Sequence, residues 1–298
     1  MQKLNVDFSN DNKTLVTYLS SKYPKVNVNT FYKTLRKKDI KINGKRINKN
    51  VNIHYGDEIQ IYLTDDILNG IDINMQIPIV YEDDNILIIN KPKDIEVEGE
   101  NSVTSILSKN YNYLKPCHRI DRNTTGLVIF AKNDESLNEI IKMFENFEIE
   151  KHYVACCYGI PKSNATLYAY LFKESKKSIV YISKEPKKGY SKIQTSYTLI
   201  SQNQAKNLSL LDVTLHTGKT HQIRAHLAFA GLPILGDGKY GSYEINKKFK
   251  VYTQCLCSYS IKFNLKNNYD KLNYLKGNEI KLKKMPYTDL IENNTKNL

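Results

Sequence analysis

The first part of the chain alternates between apolar and polar residues in a way that predicts a small α/β unit over residues 1–65. Asn29 is a candidate N-cap for a short helix over Thr30–Lys37, because its side chain can accept a hydrogen bond from the first turn. The segment Ile40–Ile47 then alternates on both sides of Asn43-Gly44, and this dipeptide between apolar runs is a strong β-hairpin signal. The pattern therefore predicts a helix followed by a hairpin.

A change of pattern after this unit indicates a domain boundary. Residues 66–76 are rich in Asp, Asn and Gly and show no clear period, which predicts a linker. A second domain is predicted over residues 77–285, and it opens with a strand pair formed by Ile77–Tyr81 and Ile86–Ile89. Residues 286–298 are expected to form a polar tail, whose last part, Glu292–Leu298, is expected to fray.

Within the second domain, a helix is predicted to begin near Asp134. Its apolar residues recur at i, i+3, i+4 and i+7, so the buried face is expected to comprise Leu137, Ile140, Ile141 and Phe144. The segments Ser191–Leu199 and Ser209–Leu215 alternate with a period of two and predict strands with one buried face. Helices and strands are thus expected together in this domain.

The charge of the chain indicates a polyanionic partner. The net charge is +13 at pH 7, from 44 Lys and Arg against 31 Asp and Glu. Nine basic residues and one acidic residue lie between Lys25 and Lys49, so part of the charge is concentrated on one small segment. This concentration favours nucleic acid as the partner. A solvated basic surface without a ligand is the alternative that composition leaves open.

The composition disfavours several other classes of protein. No run approaches about 18 consecutive apolar residues, and the N-terminus lacks the apolar core of a signal peptide. A cytoplasmic protein with no membrane partner is therefore expected. The five cysteines include no Cys-x-x-Cys pair, and the six histidines lack finger-like spacing, so no metal site is expected.

Arginine is scarce in this chain, which makes its positions informative. Only five of the 44 basic residues are arginine: Arg36, Arg46, Arg119, Arg122 and Arg224. A guanidinium group presents a planar fork of donors that matches phosphate, carboxylate or a base edge, and lysine cannot copy this geometry. The arginines are therefore candidates for roles that depend on geometry. Two lie in the basic N-terminal segment and three lie in the two motifs described next.

The first motif is HRIDRNTTG at residues 118–126, which leads directly into the apolar run Leu127–Ala131. This order predicts that Asp121 lies in a loop at the end of a strand, where catalytic groups are often held by a rigid scaffold. Two neighbouring arginines favour the ionised form of its carboxyl group. From these residues alone, a catalytic aspartate and a structural ion-pair cluster both remain open.

The second motif is HTGKTHQIRAHL at residues 216–227. A helix is expected to begin near Thr220, with Gln222 and Arg224 projecting from its first turns and with Ile223, Leu227 and Ala230 facing inward. His221 and His226 are five residues apart, and this spacing does not align two metal ligands on one helical face as a spacing of four does. Hydrogen-bonded structural histidines are therefore preferred over a metal site.

Four segments together resemble the RluA-type pseudouridine synthases. They are YEDDNILIINKP at 81–92, HRIDRNTTGLVIFAK at 118–132, EKHYVA at 150–155 and TGKTHQIRAHLAFAGLPILGDGKYG at 217–241. They occur in that family's order, with similar spacing, across residues 77–265. Residues 12–63 resemble the small RNA-binding module of the S-four type, in which a helix and the following loop grip RNA. Its opening differs, because Thr14-Leu15-Val16 stands where that module has Arg-Leu-Asp.

The resemblance implies a fold and an activity. The implied fold is α+β, with a mixed, mainly antiparallel central sheet and flanking helices in the catalytic domain, preceded by a small α/β RNA-binding domain. The implied activity is isomerisation of uridine to pseudouridine in structured RNA, with ribosomal RNA preferred over transfer RNA. A monomer that needs no cofactor and no obligatory protein partner is expected. The alternatives are a non-catalytic RNA-binding or ribosome-assembly factor and a metal hydrolase that uses the histidines.

The resemblance also implies roles for matched positions. Asp121 matches the essential aspartate, which acts either as a nucleophile or as the base that starts glycal formation. Arg224 pairs with this aspartate, Arg119 helps to extrude the target base, and Tyr153 packs on the uracil and assists proton transfer. Further substrate contacts are expected from His118, Arg122, Thr220 and Gln222. RNA binding is expected from Lys33, Arg36, Lys37, Lys38, Lys45 and Arg46.

Four residues at three places depart from the family pattern. Lys93-Asp94 stands where the family has a small residue followed by glycine, Glu98 replaces a histidine common in that loop, and Cys257 stands where a histidine is frequent. None of them belongs to the matched catalytic set. We expect them to affect the shape of a loop or the choice of substrate.

Overall fold

The computed structural model describes residues 2–63, 68, 75–99, 101–174 and 178–292. The chain divides into two compact units, of which the first comprises residues 1–76 with 99–106 and the second comprises residues 77–98 with 107–298. Most of the predicted linker at residues 66–76 lies outside the described residues. Within the described ranges, no helix is long and apolar enough to cross a membrane.

The first unit contains two short helices, α1 (Leu15–Lys22) and α2 (Val28–Arg36). The predicted cap of α2 at Asn29 is wrong. The side chain of Asn27 accepts a hydrogen bond from the backbone N–H of Asn29 at 2.8 Å, so Asn27 is the N-cap and Asn29 lies in the first turn. The helix therefore begins two residues earlier than the sequence predicts.

A four-stranded antiparallel sheet completes the first unit, in the order β1-β4-β2-β3. Its strands are β1 (Gln2–Asn5), β2 (Ile40–Ile42), β3 (Lys45–Ile47) and β4 (Glu58–Ile61). The predicted hairpin at Asn43-Gly44 is confirmed, and both residues have positive φ, at 48° and 79°. Such a turn matches the twist of the paired strands. Apolar residues of both helices and of the strands form one core: Leu15, Leu19, Phe31, Leu35, Ile40, Ile59 and Ile61.

The second unit is built on a sheet of eleven strands. Its main path runs β11-β10-β12-β13-β9-β14-β8-β6-β5, and β15 and β7 pair with β14 and β8. All pairs are antiparallel except that of β8 with β14, so the predicted α+β fold with a mixed, mainly antiparallel sheet is confirmed. The strands are β5 (Ile79–Glu82), β6 (Ile86–Lys91), β7 (Lys115–Pro116), β8 (Thr125–Ala131), β9 (Ile149–Tyr158), β10 (Ala165–Glu174), β11 (Ile179–Ser183), β12 (Ser191–Asn203), β13 (Leu208–Leu215), β14 (Leu256–Phe263) and β15 (Glu279–Lys281).

The remaining helices are short, apart from one. They are α3 (Val103–Leu107), α4 (Asp134–Glu145), α5 (Gln222–Phe229), α6 (Tyr243–Phe249) and α7 (Thr288–Ile291). The predicted buried face of α4 is partly wrong, because Ile141 is 40% exposed whereas Met143 is fully buried. The buried residues Ser136, Ile140 and Met143 recur at i, i+4 and i+7. Ile141 lies about 100° around the helix from Ile140 and faces away from the core.

A glycine allows two strands of the central sheet to lie unusually close together. Gly126 in β8 has a φ of +106°, and a Cβ atom at this position would lie 2.1 Å from the carbonyl oxygen of Ser258 in β14. Ser258 is in turn paired with Tyr153 of β9. Gly126 therefore brings the start of β8, and the Asp121 loop before it, close to the centre of the sheet.

Part of the predicted polar tail at residues 286–298 is folded. Helix α7 ends at Ile291, which is buried, and the side-chain amide of Asn203 donates to the Ile291 carbonyl at 2.7 Å. The burial of this apolar residue outweighs the polar character of its neighbours, which a compositional argument does not detect. Residues 293–298 lie outside the described residues.

Candidate active site

One cavity of about 390 Å³ in the second unit brings the two sequence motifs together. Its volume lies in the range of ligand pockets in proteins. Seven of the eight residues predicted for catalysis or substrate binding line this cavity, and only Arg122 does not: the seven are His118, Arg119, Asp121, Tyr153, Thr220, Gln222 and Arg224. The fold thus gathers side chains from the loop before β8, from β9 and from the start of α5.

Arg224 connects two carboxylates at the cavity. Its Nη1 donates to Asp121 Oδ2 at 2.9 Å. Its Nε and Nη2 donate to the two oxygens of Asp237 at 2.7 and 2.9 Å. A bidentate contact of this kind fixes the plane of the guanidinium group. Asp237 therefore sets the direction in which Arg224 presents its remaining donor to Asp121.

Sequence reasoning misses Asp237, although the residue lies within the fourth quoted segment. Its side chain is fully buried, and its Oδ1 accepts the backbone N–H groups of Lys239 and Tyr240 at 2.8 and 3.1 Å. Burial alone would raise the pKa of this carboxyl group, but Arg224 and the two N–H groups hold its pKa below the usual value. The sequence feature that could have indicated Asp237 is its position between Gly236 and Gly238, directly after the apolar run at 232–235.

A second layer of contacts surrounds the ion pair. The Cζ atom of Arg224 lies 5.3 Å from the centre of the Tyr240 ring. The Tyr240 hydroxyl accepts the backbone N–H of Val180 at 3.0 Å and lies 2.8 Å from His221 Nδ1, to which it can donate. Burial lowers the pKa of His221, although the charge of Asp121 opposes this change. The other ring nitrogen of His221, Nε2, lies 3.9 Å from Asp121 Oδ2.

Tyr153 lies on the central strand β9, between β13 and β14, and only 4% of its surface is exposed. Burial raises the pKa of its phenol, and the nearby charge of Asp121 raises it further. Both effects disfavour a phenolate. Tyr153 therefore contributes a neutral aromatic ring and an intact hydroxyl group to the cavity.

His118 is held in one protonation state by its surroundings. Its Nε2 accepts the backbone N–H of Ile129 at 3.1 Å, so any proton of the neutral ring is on Nδ1. Burial lowers the pKa of the ring well below its usual value, and the positive charge of Lys151 adds to this effect. His118 therefore lines the cavity as a neutral ring, and its hydrogen bond with Ile129 connects its loop to β8.

The side chain of Gln222 is occupied within the protein. Its amide nitrogen donates to the Gln194 carbonyl and lies 3.0 Å from Thr195 Oγ1, and its oxygen accepts from Thr217 and from the Lys219 backbone at 2.9 and 3.1 Å. An amide has two donors and room for two such bonds at its oxygen. This geometry favours a structural role for Gln222 in holding the loop before α5, in place of the substrate contact that the sequence predicts.

Arg119 and Thr220 lie at the rim of the cavity, and both are exposed. Among the described residues, the Arg119 guanidinium has no hydrogen-bond or ion-pair partner, in contrast to that of Arg224. A free guanidinium group at the mouth of a pocket is available to phosphate or to a base edge. These two positions are therefore accessible to a substrate that enters the cavity.

Arg122 supports the Asp121 loop from outside the cavity. Its Nε donates to the carbonyl of Asp94 at 3.0 Å, and its own carbonyl accepts from Lys91 Nζ at 2.9 Å. Lys91 is fully buried and donates also to the carbonyls of Pro92 and Ile95, each at 2.7 Å. Asp94 has a φ of +65°, a conformation suited to the glycine that the family pattern has there. Lys91 is a second residue that sequence reasoning misses.

The six residues predicted to bind RNA are all exposed on the first unit: Lys33, Arg36, Lys37, Lys38, Lys45 and Arg46. Arg46 Nη1 donates to the Lys38 carbonyl at 2.9 Å, which joins the hairpin to the end of α2. The helix end and the hairpin thus present their charges to solvent from adjoining segments of the unit.

The histidines of the second motif are hydrogen-bonded, as expected. His226 Nδ1 lies 3.1 Å from Thr195 Oγ1, and burial lowers the pKa of its ring to about 4. Within the described ranges, no group of three or more His, Cys, Asp or Glu residues has a metal-binding arrangement. The predicted inward position of Ala230 is wrong, because this residue follows the last turn of α5 and is exposed.

Comparisons with known proteins identify the family of the chain. A family model described as RNA pseudouridylate synthase matches residues 85–229. A relative from Mycoplasma capricolum subsp. capricolum, named an uncharacterized RNA pseudouridine synthase, is 33% identical over 92% of this chain and 95% of its own length. The chain belongs to the RNA pseudouridine synthase family. Members of this family are isomerases, so the predicted family and class of enzyme are confirmed.

Another relative of this pseudouridine synthase is named ribosomal large subunit pseudouridine synthase C. It comes from Buchnera aphidicola subsp. Baizongia pistaciae and is 31% identical over 87% of this chain and 88% of its own length. Solved structures share the fold. Human RNA Pseudouridylate Synthase Domain Containing 1 superposes with a TM-score of 0.56 at 21% identity, over 65% of this chain and 81% of that one.

Proposed function

We propose that this enzyme converts uridine to pseudouridine in structured ribosomal RNA and that Asp121 is the residue on which the reaction depends. The observation that carries the proposal is the position of Asp121, which is half-buried at the cavity and accepts from Arg224 at 2.9 Å. Relatives named for the large ribosomal subunit support ribosomal RNA as the substrate.

The surroundings of Asp121 suit a carboxylate that must stay ionised. Arg224 is held by Asp237, so its charge and its donor are aimed at Asp121 before a substrate arrives. An arranged donor of this kind costs no reorganisation during the reaction. Since Arg224 uses only Nη1 on Asp121, Asp121 Oδ1 remains for the substrate.

The bond changes of the reaction need only such groups. The bond between N1 of uracil and C1′ of ribose breaks with its electron pair on the uracil, which rotates, and a bond forms from C5 to C1′. The proton on C5 leaves and N1 gains one, so the product has the same atoms as the substrate and no oxidant is needed. Asp121 acts either as a nucleophile or as the base that starts glycal formation.

Tyr153 and Arg119 have complementary positions for a flipped nucleotide. A base inside an RNA helix cannot reach a carboxylate in a cavity, so it must leave the stack. The neutral Tyr153 ring lies inside the cavity, where it can pack on the uracil. Arg119 lies exposed at the rim, where it can occupy the space that the base vacates or bind the adjoining phosphate.

The basic residues of the first unit are proposed to hold the RNA during this step. Phosphate contacts supply affinity that does not depend on sequence and that falls as salt increases. Six exposed basic side chains are available for these contacts, two on α2, two directly after it and two on β3. The cavity then supplies the chemistry.

The proposal is tested with purified protein and ribosomal RNA from cells that lack the gene. Pseudouridine is mapped chemically after incubation with the wild-type protein and with Asp121→Asn. We expect new pseudouridine only with the wild-type protein. Full activity of Asp121→Asn would remove Asp121 from the reaction, and RNA binding without any modification by the wild type would favour an assembly factor.

A further inference from the structure

Lys151 shares the cavity with Tyr153. The two residues are two positions apart on β9, so their side chains project from the same face of the strand. Both line the cavity, and His118 lies on the same side as Lys151. Lys151 therefore presents a positive charge next to the aromatic ring that is proposed to contact the base.

The ammonium group of Lys151 is not satisfied by the protein. It lies 4.7 Å from the centre of the Phe144 ring, which is a cation–π contact. Across the described part of the chain, no carboxylate or carbonyl oxygen lies within hydrogen-bond or ion-pair distance of it. Burial lowers the pKa of Lys151 to about 8, which reflects the cost of keeping this charge away from water.

Lys91 provides a comparison within the same molecule. Lys91 is fully buried, and burial lowers its pKa to about 8. However, its ammonium group donates to three backbone carbonyls and is thereby fixed as part of the scaffold. Lys151 is half-buried and lines the cavity, and desolvation lowers its pKa to about the same value without these partners. A charge that is drawn away from water normally has partners, so the missing partner of Lys151 is expected to come from a molecule bound in the cavity.

We propose that Lys151 contacts the substrate directly and that its ammonium group binds a negatively charged oxygen of the target nucleotide beside Tyr153. The inference rests on the proposed function of the cavity. Two sources of such an oxygen exist. One is a phosphate next to the target nucleotide. The other is the uracil itself, whose oxygens gain charge when the bond between N1 and C1′ breaks.

The test uses two substitutions and a control. Lys151→Met keeps the length of the aliphatic chain over Phe144 and removes the charge, whereas Lys151→Arg retains a charge. Lys142→Met removes one positive charge from the exposed surface of α4 and serves as the control. Thermal unfolding of each variant shows whether the fold is retained. In vitro transcribed large-subunit ribosomal RNA is the probe for affinity and for the single-turnover rate at saturating enzyme.

A phosphate contact and a uracil contact give different results. If Lys151 binds phosphate, Lys151→Met weakens RNA binding about tenfold and reduces the slope of log affinity against log salt by about 0.7. If it binds the uracil, affinity is retained and the single-turnover rate falls about 10²-fold. In both cases Lys151→Arg recovers part of the loss and Lys142→Met resembles the wild type.

The proposal is overturned if Lys151→Met matches the wild type in affinity and rate, or if Lys142→Met has an equal effect. Asp121→Asn is measured in parallel to separate this failure from failure of the proposed function. An active wild type, an inactive Asp121→Asn and a fully active Lys151→Met would remove only the role of Lys151. If the wild type forms no pseudouridine, the proposed function fails, and unchanged affinity of Lys151→Met then removes this inference as well. If Lys151→Met does not fold, Lys151→Gln, which also removes the charge, takes its place, and wild-type rate and affinity in that variant overturn the proposal.

Discussion

Asp237 holds Arg224 through both carboxylate oxygens, at 2.7 and 2.9 Å, on the side of the guanidinium group away from Asp121. The orientation of the donor to the proposed catalytic carboxylate therefore depends on Asp237, which does not line the cavity. Asp237 acts by positioning Arg224, and its own side chain is fully buried. Asp121, Arg224 and Asp237 therefore depend on one another, and a change in one of them is expected to affect the other two.

Replacing Asp237 by Asn is expected to damage both catalysis and stability. The substitution retains the shape of the side chain but leaves Arg224 with one carboxylate and a less fixed orientation. We expect the single-turnover rate to fall on the order of 10²-fold. Loss of one partner from a buried ion pair is expected to lower the free energy of unfolding by roughly 3 kcal/mol. Urea denaturation and rapid-quench kinetics measure the two effects.

The control for this experiment is Asp270→Asn. Asp270 is exposed, its backbone N–H donates to Glu139, and among the described residues it has no hydrogen bond or ion pair with Arg224. This substitution should leave both quantities unchanged. A stable Asp237→Asn protein with the wild-type rate would show that Arg224 needs no second carboxylate.

Replacing Gly126 by Ala is expected to destabilise the second unit strongly. The new methyl carbon would lie 2.1 Å from a backbone oxygen of Ser258, and the φ of +106° is unfavourable for alanine. The atoms nearest to the added carbon all belong to the backbone of Ser258 and not to a flexible side chain. The strands β8 and β14 must therefore separate. We expect the free energy of unfolding to fall by about 3 kcal/mol or more. Gly238→Ala, where the added carbon meets no atom within 4 Å, is the matched control.

The stability of the enzyme is expected to depend on pH through His152. Its Nδ1 lies 3.0 Å from Asp212 and its Nε2 lies 2.8 Å from Glu150, and these acceptors, Asp212 first, raise its pKa although burial and Lys262 oppose them. A raised folded pKa means that the folded protein holds this proton more tightly than the unfolded chain. Its contribution is therefore full below about pH 6.5 and is lost as pH rises through the folded pKa.

Urea denaturation of the wild type and of His152→Gln from pH 6 to pH 9 checks this expectation. The difference between the two free energies of unfolding should shrink as pH increases. A constant difference would show that the charge on His152 does not contribute. The experiment concerns the opposite face of β9 from Tyr153, because His152 alternates with it along the strand.

Local sequence signals predicted those parts of the fold that depend on neighbouring residues. The Asn43-Gly44 turn needs two positive φ angles, and the sequence supplies the residue types that adopt them. The burial of α4 depends instead on which elements pack against it, so Ile141 is exposed although its spacing predicted burial, and Met143 is buried without having been predicted. The N-cap of α2 was misplaced because Asn27 and Asn29 are equally suitable by type.

The candidate site was predictable as far as its residues carry a recognisable pattern. Asp121 and Arg224 lie in segments that resemble one family, and the structure places Arg224 Nη1 2.9 Å from Asp121 Oδ2 although the two residues are 103 positions apart in the chain. Gln222 shares that pattern, but its amide is used by the loop before α5. Asp237 and Lys91 act through burial and backbone contacts, which only the folded chain defines.

The chain order of the Arg224 contacts has a consequence for synthesis on the ribosome. Asp121 emerges more than a hundred residues before Asp237, so the early part of the site is translated without the anchor of its arginine. A nascent chain that ends between residues 224 and 237 carries Asp121 and Arg224 but not the residue that orients them. On the proposed function, modifying activity therefore becomes available only after Asp237 has been translated, and the basic residues proposed to bind RNA are translated before the site is complete.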